Sequence, residues 1–160
     1  MRIRLSKLAA REKALLLLLI VLGVAGNYFS VPLFFGTDLV FGSIAVLAVV
    51  CLYGTAWGML AAVVASSYTY LLWGHPYAIV IFTSEALFVG FFRRRAPWNL
   101  ASLDGLFWLT VGAPMVWFFY SFILNLNANA TQLILFKQAL NGIFNALIAS
   151  LLVFHFPLWK

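Results

Sequence analysis

Acidic side chains are scarce in this chain: Asp and Glu together number 4 in 160 residues, and all charged residues make up 9%. Four scattered carboxyls offer no acidic metal site. Cysteine occurs once, at Cys51 in an apolar run, which excludes an internal disulfide or a redox pair within the chain. Its expected role is packing. Histidine occurs twice, at His75 and His155, with no Cys/His spacing of metal-ligand type. A Gly-rich phosphate loop, a Walker pattern and a nucleophile elbow are all missing. The expectation is therefore no catalytic residue, no metal, no cofactor and no enzyme within these residues. A full-length protein would be free to carry a kinase or cyclase domain after residue 160.

What is present is apolar surface. Hydrophobic residues make up 65% of the chain, against ~45–50% in soluble domains, which predicts an all-α integral membrane protein with the lipid bilayer as its first partner. At ~20 residues per span the length holds five or six helices and no sizeable soluble domain. The reading is a single transmembrane domain over 1–160: a basic head at 1–13, then helices at about 15–35, 39–53, 54–73, 77–92, 105–123 and 133–156. A signal peptide is the alternative for the first segment, with Val24-Ala25-Gly26 as a poor cleavage site. Pro32 is expected to kink or end the first helix, and Gly112 with Pro114 to bend the fifth. Asp38 reads as a helix cap after the Gly36-Thr37 turn. Residues 96–104 and 124–132 read as loops, the second polar and containing a weak glycosylation match at Asn129-Ala130-Thr131. In the third segment Gly54, Gly58, Ala62 and Ser66 recur every fourth residue, a spacing that brings helix backbones close, within the chain before any partner.

The net charge is +6, but its placement argues against nucleic acid, because the basic residues flank apolar segments and form no single patch. Arg2, Arg4, Lys7, Arg11 and Lys13 precede the first span, Arg93–Arg95 follow the fourth, and Lys160 ends the chain. With six spans these share one side. The positive-inside rule then places both termini in the cytoplasm and, for a bacterial protein, the chain in the inner membrane. The exception is Lys137, inside the sixth span.

The segment Trp73–Arg95 stands at the centre of this pattern. It opens on a Trp-Gly-His-Pro turn, holds one carboxylate, Glu85, and closes on three arginines. Glu85 falls about 12 Å from each helix end at ~1.5 Å per residue, near mid-bilayer, where an ionisable group is a functional candidate. In the sixth segment Lys137, Asn141 and Asn145 recur every fourth residue on one face, with Gln138 beside them. Lys137 and Glu85 enter from the same side at similar depth and are expected to pair, for ligand binding or for structure alone. Tyr70, Trp73, His75, Trp117 and Tyr120 cluster at the outer helix ends. They read either as an interfacial belt or, with the polar groups, as an outward-facing aromatic pocket. Such a site suits a small zwitterion or polar heterocycle.

Three stretches carry a resemblance: WGHPYAIVIFTSEALFVG (73–90), KQALNGIFNAL (137–147) and NYFSVPLFFGTDLVFGSIAVL (27–47). Together they resemble the vitamin-uptake-like sensor domains at the N-termini of bacterial histidine kinases and diguanylate cyclases. Those domains are in turn similar to the substrate-binding S subunits of energy-coupling factor vitamin transporters. The resemblance implies an S-subunit-like bundle of six transmembrane helices that binds a small molecule from outside. It also implies a cytoplasmic output domain in cis; a homodimer is a further partner that the sequence leaves open. Signal transduction by a sensory input domain is the expected function, and a transport S subunit is the alternative. S subunits dock their partner through small residues on the first helix, and residues 15–22 here contain none.

Overall fold

The computed structural model describes residues 9–33, 38–95 and 97–155 of the chain. Six helices and one short two-stranded ribbon make up its regular structure. The basic head up to residue 8, the Gly36-Thr37 turn and the end at Pro157, Trp159 and Lys160 lie outside the described residues.

Helix α1 spans Ala10–Tyr28, starting before residue 15 and stopping well short of 35. Its start is capped by Glu12, whose carboxylate accepts the Ala9 N–H at 2.8 Å, satisfying an orphan donor of the first turn. Pro32 lies beyond the helix in β1 (Val31–Pro32), which pairs antiparallel with β2 (Asp38–Leu39). Asp38 is thus a strand residue and not a helix cap. Helix α2 is Gly42–Tyr53. Its entry is held by Asn27 of α1, which accepts the Gly42 N–H at 2.8 Å and donates to the Ala65 carbonyl at 2.8 Å. One buried amide therefore ties three helices.

Gly54 alone joins α2 to α3 (Thr55–Trp73). Its φ of +92° is open to glycine and costly for other residues. The small-residue face of α3 is turned inward: Gly58, Ala61, Ala62, Ala65, Ser66 and Thr69 are buried, and α3 packs on α1, α2 and α4. Close backbone approach inside the bundle is the use those residues find. Helix α4 is Tyr77–Phe92. Helix α5, Leu100–Ile123, begins five residues before position 105, because Asn99 accepts the Ser102 N–H at 2.8 Å and caps it. It continues through Pro114 by widening into π-type turns on either side, at Trp108–Gly112 and Trp117–Ile123. Proline removes an N–H and crowds the carbonyl four residues back, and wider turns accommodate both effects. Helix α6 spans Ala128–His155 and also starts early, with the Asn127 side chain accepting the Ala130 N–H at 2.9 Å.

Three of the six helices, α3, α5 and α6, are long and apolar enough to cross a membrane. The others differ for local reasons. Helix α1 carries Arg11, Glu12 and Lys13 in its first turn, while α2 and α4 have 12 and 16 residues, or ~18 and ~24 Å at 1.5 Å per residue. The outside of the bundle is apolar. Phe136, Leu140, Phe144, Leu147 and Leu151 expose a stripe along α6, and Leu17, Leu18, Val21 and Leu22 expose another along α1. Patches of that extent suit lipid and not water.

Inside, two apolar clusters stack along the bundle. One gathers Val46, Leu47, Val49, Val89, Leu103 and Ala149 with their neighbours. The other gathers Val40, Ala78, Ile81, Phe82, Phe107, Trp108, Val116 and Tyr120. Between them in sequence, on three separate helices, fall Ser43, Glu85 and Asp104, all buried. A polar layer thus separates the two cores.

Candidate functional site

A concavity lies at the end of the bundle that holds the β ribbon and the turns at Gly74–Pro76 and Asn125–Asn127. It encloses about 450 Å³ and is lined by Trp73, His75, Tyr120, Lys137 and Gln138, with Leu72, Leu124, Leu126 and Ile134 as apolar wall. That volume lies within the usual range for small-molecule sites. The aromatic wall is ordered by stacking: Tyr77 lies parallel to Phe119 at 4.7 Å and to His75 at 5.1 Å, and His75 meets Tyr120 edge-on at 5.1 Å. Gly74, at φ +71°, terminates α3 and turns the chain so that His75 enters this column. Partial burial holds the His75 imidazole below its usual range, so it is neutral at pH 7, and its Nδ1 has no partner among the described residues.

Lys137 forms the polar floor. Its ammonium donates to the Asp38 carbonyl at 2.8 Å and sits 4.6 Å from the centre of the Trp73 ring, a cation–π arrangement. The Trp73 indole in turn donates to the Asp38 carboxylate at 3.3 Å. The expected Lys137–Glu85 pair is therefore replaced by a Lys137–Asp38–Trp73 triad. The reason is geometric: α6 packs on β2 and the residue after it, and β2 offers Lys137 the Asp38 carbonyl as its acceptor.

Asn141 and Asn145, one and two turns further along α6, serve the same connection. Asn141 accepts the Val40 N–H at 2.9 Å and donates to the Val40 carbonyl at 2.7 Å, and Asn145 donates to that carbonyl at 2.9 Å. They satisfy a buried peptide that leaves β2 without a strand partner. Lys137, Asn141 and Asn145 thus form a clamp by which α6 grips residues 38–40, and of these three only Lys137 also lines the cavity, with Ile134 and Gln138 of the same helix. Tyr70 is exposed and Trp117 half-buried, and neither lines it.

Glu85 lies deeper, in the polar layer. It is fully buried, accepts the Ser43 hydroxyl at 3.0 Å and the Trp108 indole N–H at 3.3 Å, and lies against the Asp104 carboxyl. Asp104 is fully buried as well. Among the described residues no Lys or Arg acts on either carboxyl. Gly142 of α6 makes room for this group, since a β-carbon there would collide with Trp108 Nε1 and reach 3.0 Å from Asp104 Oδ2.

Sequence reading missed Asp38 as a partner of Lys137, and Asp104 and Trp108 as neighbours of Glu85. Asp104 had a signal, an acid four residues before a tryptophan at the head of an apolar run, but its assignment to a loop concealed it. At the opposite end of the bundle Arg93 donates to the Cys51 carbonyl at 3.1 Å, capping the end of α2. No family model, curated protein or solved structure matches this chain.

Proposed function

We propose that the chain is a membrane-embedded sensory input domain that binds a small polar or zwitterionic ligand from the outer side and signals to a cytoplasmic output domain. The observation that carries this reading is the one-sided cavity floored by Lys137 and Gln138 and walled by Trp73, His75 and Tyr120. It lies at one end of the bundle, while Arg93–Arg95 follow α4 at the other. In this reading all six helices traverse a bacterial inner membrane, with the arginine end and both termini cytoplasmic. The shorter α2 and α4 complete their crossings with the segments that flank them.

Helix α6 is the conductor. It contributes Lys137 and Gln138 to the cavity, grips Val40 through Asn141 and Asn145, and runs on to His155, a length of ~42 Å. A ligand shifts the position of α6 only to the extent that it binds one arrangement more tightly than the other. The clamp to residues 38–40 ties any such shift of α6 to the ribbon and to the start of α2.

Cysteine accessibility in intact cells tests the orientation of the site. With Cys51→Ala as background, Leu126→Cys is expected to react with a membrane-impermeant maleimide, and Arg94→Cys only after the cells are opened. The reverse pattern places the cavity on the cytoplasmic side and removes the sensor reading.

A further inference from the structure

Two neighbouring polar groups of the cavity, on Gln138 and Lys137, describe one edge of the molecule that completes it. Gln138 is only 2% exposed. Its amide contacts the Tyr120 hydroxyl, while its carbonyl Oε1 has no partner among the described residues. A buried acceptor without a donor is unfavourable, so the site calls for an N–H or O–H at that point. Next to it, Lys137 has three N–H bonds and gives one to the Asp38 carbonyl, which leaves capacity for a second acceptor. The positive charge of Lys137 is already answered by the neighbouring Asp38 carboxylate. Among the described residues no carboxylate lines the cavity.

Each alternative ligand chemistry meets an obstacle in these facts. A simple carboxylate would leave Gln138 Oε1 unpaired and bring a second negative charge towards Asp38. A zwitterion would bring its carboxylate towards Asp38 in the same way, and Asp38 is already engaged by Trp73 and Lys137. A neutral ring with a donor and an acceptor side by side satisfies both polar groups at once, and Trp73, His75 and Tyr120 offer flat surfaces to a planar molecule.

Building on the reading of this cavity as a ligand site, we propose that its ligand is a neutral planar heterocycle with a lactam-type edge. Its N–H donates to Gln138 Oε1, and its adjacent C=O accepts from Lys137 Nζ. Gln138 is then the residue that sets specificity.

A matched set of probes tests this by equilibrium dialysis against the purified full chain in detergent micelles: quinolin-2-one, its N-methyl derivative and quinoline-2-carboxylate. Quinolin-2-one is expected to bind about tenfold or more tightly than the N-methyl compound, which cannot donate to Gln138, and more tightly than the carboxylate. Gln138→Met should abolish the preference for N–H over N–CH₃, Gln138→Glu should retain it, and Lys137→Met should weaken both neutral probes alike. Equal binding of quinolin-2-one and its N-methyl derivative, or tightest binding of the carboxylate, overturns the lactam assignment while leaving the cavity a ligand site. If no probe binds, or if binding ignores Gln138 and Lys137, the ligand-site reading itself falls with it. The N-methyl contrast on the unaltered protein decides the point even where a Gln138 variant fails to fold.

Discussion

Lys137 and Asp38 are joined across the mouth of the bundle, the ammonium of one donating to the main-chain carbonyl of the other at 2.8 Å. The contact links α6 to β2, and the Trp73 ring under the ammonium links both to α3. Replacing Lys137 by Met removes the charge and leaves the Asp38 carbonyl without its donor. The expected loss is about 1–3 kcal/mol in denaturant unfolding of the purified protein. Because Glu85 has other partners, Lys137→Met and Glu85→Gln should add within about 0.5 kcal/mol. A coupling well above that would show that the two residues interact after all.

Glu85 and Asp104 should behave in the opposite way. Both carboxyl groups are buried, and among the described residues no Lys or Arg acts on either, so a change to one alters the surroundings of the other. Glu85→Gln and Asp104→Asn each change this pair, so the double variant is expected to depart from additivity by about 0.5–3 kcal/mol. Strict additivity would mean that the two side chains are independent and the polar layer is not a unit.

Much of the helix pattern was legible because apolar runs, glycines and basic flanks are local signals. Asn99 and Asn127 cap α5 and α6, yet the polar residues around them read as loop, so both starts were placed too late. The polar partnerships were not legible from depth alone. Counting residues puts Lys137 and Glu85 at one depth, but Glu85 lies deeper on Ser43 and Trp108 while Lys137 reaches Asp38, and no periodicity reveals a two-residue strand. Asn141 and Asn145 are the converse case. Their spacing on one face of α6 was correct, but what faces them is the Val40 peptide and not the cavity. Trp73, His75 and Tyr120 come together because glycine lets Gly74 turn sharply, bringing a helix end and a loop residue beside α5.

Asn27 is a structural hub with no role in the cavity. Asn27→Leu strands the buried Gly42 N–H and removes the second donor of the Ala65 carbonyl, and is expected to cost about 1–3 kcal/mol. Gly42 leaves no room for a β-carbon beside the Asn27 amide, so the bulkier replacement also disturbs α1–α2 packing. Unfolding transitions of the variant and wild type that coincide would refute this assignment.

His75 gives the ribbon end of the bundle a pH dependence. Its folded-state imidazole is held below the ordinary value, so above ~6.5, where the unfolded chain titrates, neither state is protonated and stability is complete. As pH falls through that value towards the lower one of the folded state, the unfolded chain takes up the proton first and stability declines. The melting temperature should therefore fall more steeply between about pH 7 and 5 in wild type than in His75→Gln. Parallel curves would place His75 in an environment like water.

The central claim is that the cavity under Trp73, His75 and Tyr120 is where a ligand acts, and a thermal-shift screen of small molecules on the purified chain tests it most directly. A bound ligand stabilises by RT ln(1 + [L]/Kd), ~2.7 kcal/mol at a hundredfold excess over Kd. The account predicts stabilising compounds whose effect is lost in Gln138→Met and Lys137→Met and kept in Arg94→Ala at the far end. Compounds that stabilise the two cavity variants as strongly as wild type would contradict it and place the binding site elsewhere in the bundle.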